Sequence, residues 1–165
     1  AGLVCPFFIM RIDANTLAAQ PFLKDLPAPY LELLAQQSMP SEFKAGEFIL
    51  QEGSPANRFY LIQEGRVAIE AELENGGTVP VQTLGRGDAL GWSWLFPPYY
   101  WRFDARAVTP TKAIFFYGTR LRELCEENHD FGYELMKRIS DILIRRLQAE
   151  RQQMIQHGQN LLFPI

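Results

Sequence analysis

The spacing of apolar residues changes twice along the chain. Before residue 40 it is helical. Tyr30, Leu31 and Leu34 recur at steps of three and four, which predicts a helix over about 30–37. Pro27-Ala28-Pro29 opens it, and proline costs little in a first turn because that N–H has no intrahelical partner anyway. Asn15-Thr16 offers a cap for a shorter helix upstream. From 42 to 117 the period falls to two. Phe48 and Leu50, Phe59 and Leu61, Val67 and Ile69, and Val79 and Val81 each place one face of a strand on a core and the other in water. Gly46, Gly53, Gly65, Gly76, Gly77, Gly85, Gly87 and Gly91 punctuate this stretch, with Glu64-Gly65 and Asn75-Gly76-Gly77 as hairpin turns. The pattern predicts short antiparallel strands in a sandwich, roll or barrel.

After residue 117 the helical period returns. Leu121, Leu124 and Cys125 share a face of a short helix, so Cys125 reads as a small buried hydrophobe rather than a reactive thiol. Asn128 or Asp130 can cap the next helix, which runs without proline or internal glycine from 133 to 157 and would reach roughly 35 Å at 1.5 Å per residue. Leu135, Met136, Ile139, Leu143, Leu147 and Met154 form a broad apolar stripe on it. Asp141 with Arg145, and Arg146 with Glu150, fall at four-residue spacing on the rest, a pattern that keeps a helix in water. The first half of the stripe suits packing on its own domain. The second half overhangs, and a parallel copy of itself is the simplest cover, which predicts a homodimer through about 131–157.

A chain of 165 residues, 47% hydrophobic, can bury one core. We expect residues 1–20 to be an N-terminal extension, with Met10 as a candidate native start after 1–9, and 21–165 to be the domain. Residues 3–10 are apolar but have no basic flank or small-residue cleavage site and are too short to span a bilayer, so neither signal peptide nor membrane anchor is expected. A net charge of -3 gives no basic field for nucleic acid. Two cysteines, Cys5 and Cys125, cannot complete a structural zinc site and suggest a reducing cytoplasm. Cupin-type catalysis needs histidines on facing strands, whereas His129 and His157 lie at the start and near the end of the last helix. No enzyme is expected.

Several strings in fixed order carry a resemblance. They are Phe22-Leu23, Ala45-Gly46-Glu47-Phe48-Ile49-Leu50-Gln51-Glu52-Gly53, Phe59-Tyr60-Leu61-Ile62-Gln63-Glu64-Gly65-Arg66-Val67 and Leu84-Gly85-Arg86-Gly87-Asp88, followed by Gly91, Asn128 and Arg145-Arg146-Leu147-Gln148. From about 21 to 156 the chain resembles the cyclic-nucleotide-binding domains of cyclic-AMP-receptor-type bacterial regulators. The resemblance implies an antiparallel double-stranded β-helix, a jelly-roll-like β-roll, flanked by N-terminal helices and a long C-terminal helix. It also implies a regulatory role in signal transduction through a small-molecule effector.

In that family Gly91 would open the phosphate-binding cassette, continue with a glutamate for the ribose diol, and reach a phosphate-binding arginine about ten residues on. This chain reads Gly91-Trp92-Ser93-Trp94-Leu95-Phe96-Pro97-Pro98-Tyr99-Tyr100-Trp101-Arg102. Trp92 replaces the carboxylate, and an indole cannot accept two hydrogen bonds from a diol. Counted forward from Gly91, Arg102 falls near the phosphate position. Counted back from Phe103, Ala105 and Ala107, that position falls on Trp101, and a one-residue slip flips the face. The candidate ligand-binding residues are Gly91, Trp92, Ser93, Trp94, Arg102 and Arg106, with Glu150 and Arg151 where the family's helix reaches over the pocket.

Two readings stand. In one, six aromatic rings between 92 and 101 plug the space a nucleotide would fill. In the other, a reshaped pocket stacks a flat ligand, a cyclic nucleotide or another small anionic or aromatic molecule, while Arg102 or Arg106 pairs with its charge. The function expected is effector sensing without the usual cyclic-AMP mode. The alternatives are a ligand-free dimerisation or interaction module, and the sensor half of a transcription regulator without its helix-turn-helix domain. Nucleic-acid binding by this chain alone is not expected.

Overall fold

The computed structural model describes residues 11–157; the apolar run at 3–10, Cys5, Met10 and residues 161–165 lie outside them. Among the described residues eight strands make two antiparallel sheets. β1 (Ser38–Phe43), β8 (Thr111–Tyr117), β3 (Arg58–Glu64) and β6 (Ala89–Leu90) form one, in that spatial order. β2 (Phe48–Leu50), β7 (Asp104–Ala107), β4 (Val67–Glu72) and β5 (Thr78–Leu84) form the other. Helices α1 (Ala14–Ala18) and α2 (Ala28–Ala35) precede the roll, and α3 (Gly118–Glu127) and α4 (His129–Gln156) follow it. This is the β-roll with flanking helices and a long C-terminal helix that the sequence implied.

The alternation along β3 explains the layering. Phe59 and Leu61 face the helices, where Leu17, Leu23, Leu34, Phe116, Leu121, Phe131, Leu135 and Ile139 complete one core. Tyr60 and Ile62 face the other sheet and join Ile49, Leu50, Val67, Ile69, Leu90, Trp101, Ala105 and Ala107 in a second core. β3 is therefore buried on both faces, where a half-wet strand was expected. Helices cover the face that would otherwise meet water.

One apolar residue and one apolar pair fall outside the core, contrary to the period-two reading. Phe48 is exposed because the β2–β7 register shifts between Phe48 and Leu50, turning Ile49 and Leu50 inward together. Val79 and Val81 are exposed on β5, an edge strand whose pairing with β4 slips between Ile69 and Glu70. The β3–β4 turn needs its glycine. Gly65 sits at φ +96, and a Cβ there would lie 2.5 Å from the Pro110 carbonyl oxygen.

The helix caps also refine the expectations. Asp13, rather than Asn15, caps α1 by accepting from the Thr16 amide at 2.7 Å, and α2 begins two residues before Tyr30. Asn128 caps α4 by accepting from the Phe131 amide at 3.1 Å. Cys125 is half-buried, and desolvation, aided by nearby Glu126, pushes its thiol up to about 11. Along α4 apolar burial ends with Ile139 and the partly covered Ile142. Leu143, Ile144, Leu147, Met154 and Ile155 are exposed on the single chain.

Candidate functional site

β6 pairs with β3 and delivers the chain to Gly91 at φ +86. A Cβ at Gly91 would stand 2.9 Å from Cη2 of Trp101 and 3.2 Å from the Arg58 carbonyl oxygen. The glycine is thus required twice, by its conformation and by the indole packed against it.

Trp101 owes its place to backbone pairing. Its N–H donates to the Ser54 carbonyl and its carbonyl accepts from the Gly53 amide, both at 2.9 Å. From there the chain runs into β7 with Trp101, Phe103, Ala105 and Ala107 all packed on the inter-sheet core. Trp101 is 4% exposed. Arg102, one residue on, falls on the opposite side and is exposed. The count back from β7 therefore holds, and the loop does not absorb a residue to turn Arg102 inward. The side chain in the inward place beside Gly91 is an indole.

Arg106 shares the outward alternation. Its Nε donates to Oε1 of the buried Glu70 at 3.1 Å, and its guanidinium lies 5.6 Å from the centre of the Phe48 ring. It belongs to the outer face of the second sheet, away from the cassette, where it keeps a buried carboxylate paired.

The next three cassette residues divide. Trp94 is fully buried in the helix-side core, 5.9 Å from Phe59 and so close to Gly118 that a Cβ there would meet the Trp94 Cβ at 2.5 Å. It is a packing residue, and its buried Nε1 has no hydrogen-bond partner. Ser93 is buried and opens a single 3-10 turn, Ser93–Leu95. Arg122 of α3 fixes that turn by donating to the Trp94 carbonyl at 2.9 Å while stacking 4.0 Å over Tyr99. Trp92 stays half-buried at the cassette mouth, edge-on to Phe103 at 6.4 Å.

A second arginine reaches the cassette from α4. The Arg146 guanidinium lies 4.0 Å over the Trp92 ring and donates to the Ala89 carbonyl at 3.2 Å. Burial pulls its pKa down to about 10, opposed by Asp88 and Glu150. The sequence placed Arg146 on the solvated side of the helix, because its spacing to Glu150 looked like a surface pair. Two adjacent arginines split the roles instead: Arg145 pairs with Asp141 at 2.7 Å, and Arg146 turns to the roll. Glu150 and Arg151 lie about one turn further on and are exposed.

A cavity of about 770 Å³ opens between α4 and the strand ends, lined by Phe22, Leu84, Asp88, Arg138, Ile142 and Arg146 among others. Residues 91–102 take no part in its lining. Among the described residues no helix is long and apolar enough to cross a membrane, and no three metal-ligating side chains cluster.

The roll, the Gly91 turn and the terminal helix together define a regulatory-type β-roll. Residues 40–128 match the model of the cyclic nucleotide-binding domain, and the chain belongs to that family. It is similar to a protein from Geobacter metallireducens GS-15 described as cyclic nucleotide-binding, with 30% identity and a TM-score of 0.75 over 82% of this chain and 98% of that one. It is also similar to a CRP-like cAMP-activated global transcriptional regulator of Mycobacterium tuberculosis, 26% identical over 114 residues, covering 69% of this chain and 49% of the regulator. The anaerobic regulatory protein of Bacillus subtilis is 26% identical over 147 residues, covering 87% of this chain and 61% of that protein. The chain thus spans about half to three-fifths of these two regulators.

Proposed function

We propose that this is a cytoplasmic, non-catalytic regulatory domain that acts as a homodimer through α4 and does not take a cyclic nucleotide in its family's usual manner. One observation carries the reading: an indole, Trp101, occupies the inward position beside Gly91 while Arg102 faces solvent. A cyclic phosphate placed there would lose its hydration without gaining a charged partner, a balance that costs affinity. The Trp92 indole offers no carboxylate to a ribose diol. These features favour the ligand-free module over the anion-binding sensor.

The dimer draws support from the side chains of Leu143, Ile144, Leu147 and Ile155, which stand exposed along the second half of α4 and form a seam that a second copy would cover. Isothermal titration with cyclic AMP and cyclic GMP tests the cassette. We expect no binding tighter than about 10 μM, and sub-micromolar binding of either would overturn the reading.

A further inference from the structure

We propose that the cassette mouth is a site for a planar cation and that the chain's own Arg146 is its occupant, fastening α4 to the roll. The inference rests on the reading that no cyclic nucleotide fills the cassette, and it names what stands there instead.

Two contacts of the Arg146 guanidinium suit a flat cation, and two acidic side chains offset part of the cost of its burial. Its flat face lies 4.0 Å from the Trp92 ring centre, where the indole quadrupole is negative. Its edge donates to the Ala89 carbonyl at 3.2 Å. Asp88 from the roll and Glu150 from α4 both act on it as negative charges, and among the described residues no salt bridge joins it to either. Trp92 is held for this role by its edge contact with Phe103. A point charge would satisfy the electrostatics. The stack and the directed bond together call for a flat, forked donor, which distinguishes arginine from lysine.

The position of the contact along α4 gives it consequence. Ile139 is the last fully buried residue of the helix. Beyond Ile142, Arg146 makes the hydrogen bond and the ring contact that tie the described helix back to the strands. A built-in occupant at this point sets the placement of the second half of α4 on the roll without an external ligand.

Hydrogen exchange read by mass spectrometry on the full chain tests the proposal, in the wild type and in a Leu147→Glu background, so that a second copy cannot mask local opening. Arg146→Ala should speed exchange of amides in 143–157 at least about tenfold. Millimolar ethylguanidinium should restore much of that protection, and ethylammonium at equal concentration should restore less. Arg146→Lys should fall between, and Trp92→Leu should make Arg146→Ala nearly silent. Unchanged exchange in Arg146→Ala would overturn the proposal, as would equal rescue by the two cations. Should the wild type bind cyclic nucleotide, the blocked-cassette reading would fail in calorimetry, while the exchange comparison would still be read without added nucleotide.

Discussion

If Trp101 fills the inward place beside Gly91, shortening it must open a void that the structure cannot close. The ring is 4% exposed and belongs to a core whose other members include Ala56, Ala105, Ala107 and Ala113. Alanines have no side-chain atoms to swing into a gap, and Gly91, which touches the ring, has none at all. Tryptophan-to-alanine changes in cores cost about 3–5 kcal/mol, with the upper end where the site cannot collapse. Trp101→Ala should therefore lie near 4–5 kcal/mol, and Trp101→Leu at roughly half of that, because part of the volume is retained. The backbone pairing of Trp101 with Gly53 and Ser54 is independent of the side chain, since only its N–H and carbonyl take part. Urea denaturation with a constant slope would report the loss as a shift in midpoint. A cost below about 1 kcal/mol for Trp101→Ala would mean that the ring is not part of the packed core, and the blocked-cassette reading would fall with it.

Three further outcomes follow from the same packing. Leu147→Glu puts a charge on the exposed apolar seam of α4 and should convert a dimer to a monomer at micromolar concentration in sedimentation, with little change in the roll; a wild type that already sediments as a monomer refutes the dimer. Arg106→Ala strands the buried Glu70 carboxylate and should cost about 2–3 kcal/mol, the partial exposure of Arg106 holding it below the fully buried case, while adding Glu70→Leu should recover much of the loss in denaturation. Burial holds the Cys125 thiol at about 11, above its unfolded value of about 8.5, so the proton is bound more tightly in the folded state. That contribution to stability is complete at neutral pH and declines as pH rises through about 8.5 toward 11; alkylation at about pH 8 should accordingly be far slower than for free cysteine and should accelerate on unfolding.

The roll was legible because its signals are local and redundant. A glycine at Gly65 or Gly91 answers a backbone demand that no other residue meets cheaply, and the change from period two to period 3.6 after Tyr117 marks the change from strand to helix whatever the packing. Phe48 was misplaced because period two assumes unbroken register, and a shift in β2 cancels the alternation without leaving a mark in composition; Val79 and Val81 were misplaced because the edge strand β5 is exposed on both faces through Val81. The cassette was half legible. The loss of the glutamate could be read directly at Trp92, but the choice between Trp101 and Arg102 depended on how many residues the loop consumes, which backbone pairing with Gly53 and Ser54 decides. Arg146 was missed for a different reason. Four-residue spacing to Glu150 is compatible with a surface pair and with a buried guanidinium that feels Glu150 at a distance, and only the packing of α4 on the roll separates them.

The changes at the cassette are mutually consistent as physical chemistry. In the blocked-cassette reading proposed above, the places that would face a phosphate and a diol are both taken by indoles, Trp101 inward beside Gly91 and Trp92 at the mouth. Indoles bury well and present a negative face, so one can fill the floor while the other attracts a cation. Replacing the carboxylate by a ring of that polarity leaves the mouth still suited to positive charge, and α4 supplies it from Arg146, where adjacent Arg145 is already committed to Asp141. Had only one of the two positions changed, the result would have been a charged residue facing an empty or mismatched partner, at a desolvation cost of several kcal/mol. Both indoles together give a packed floor and a stacked cation at the mouth, as the proposed fastening of α4 by the chain's own side chains requires.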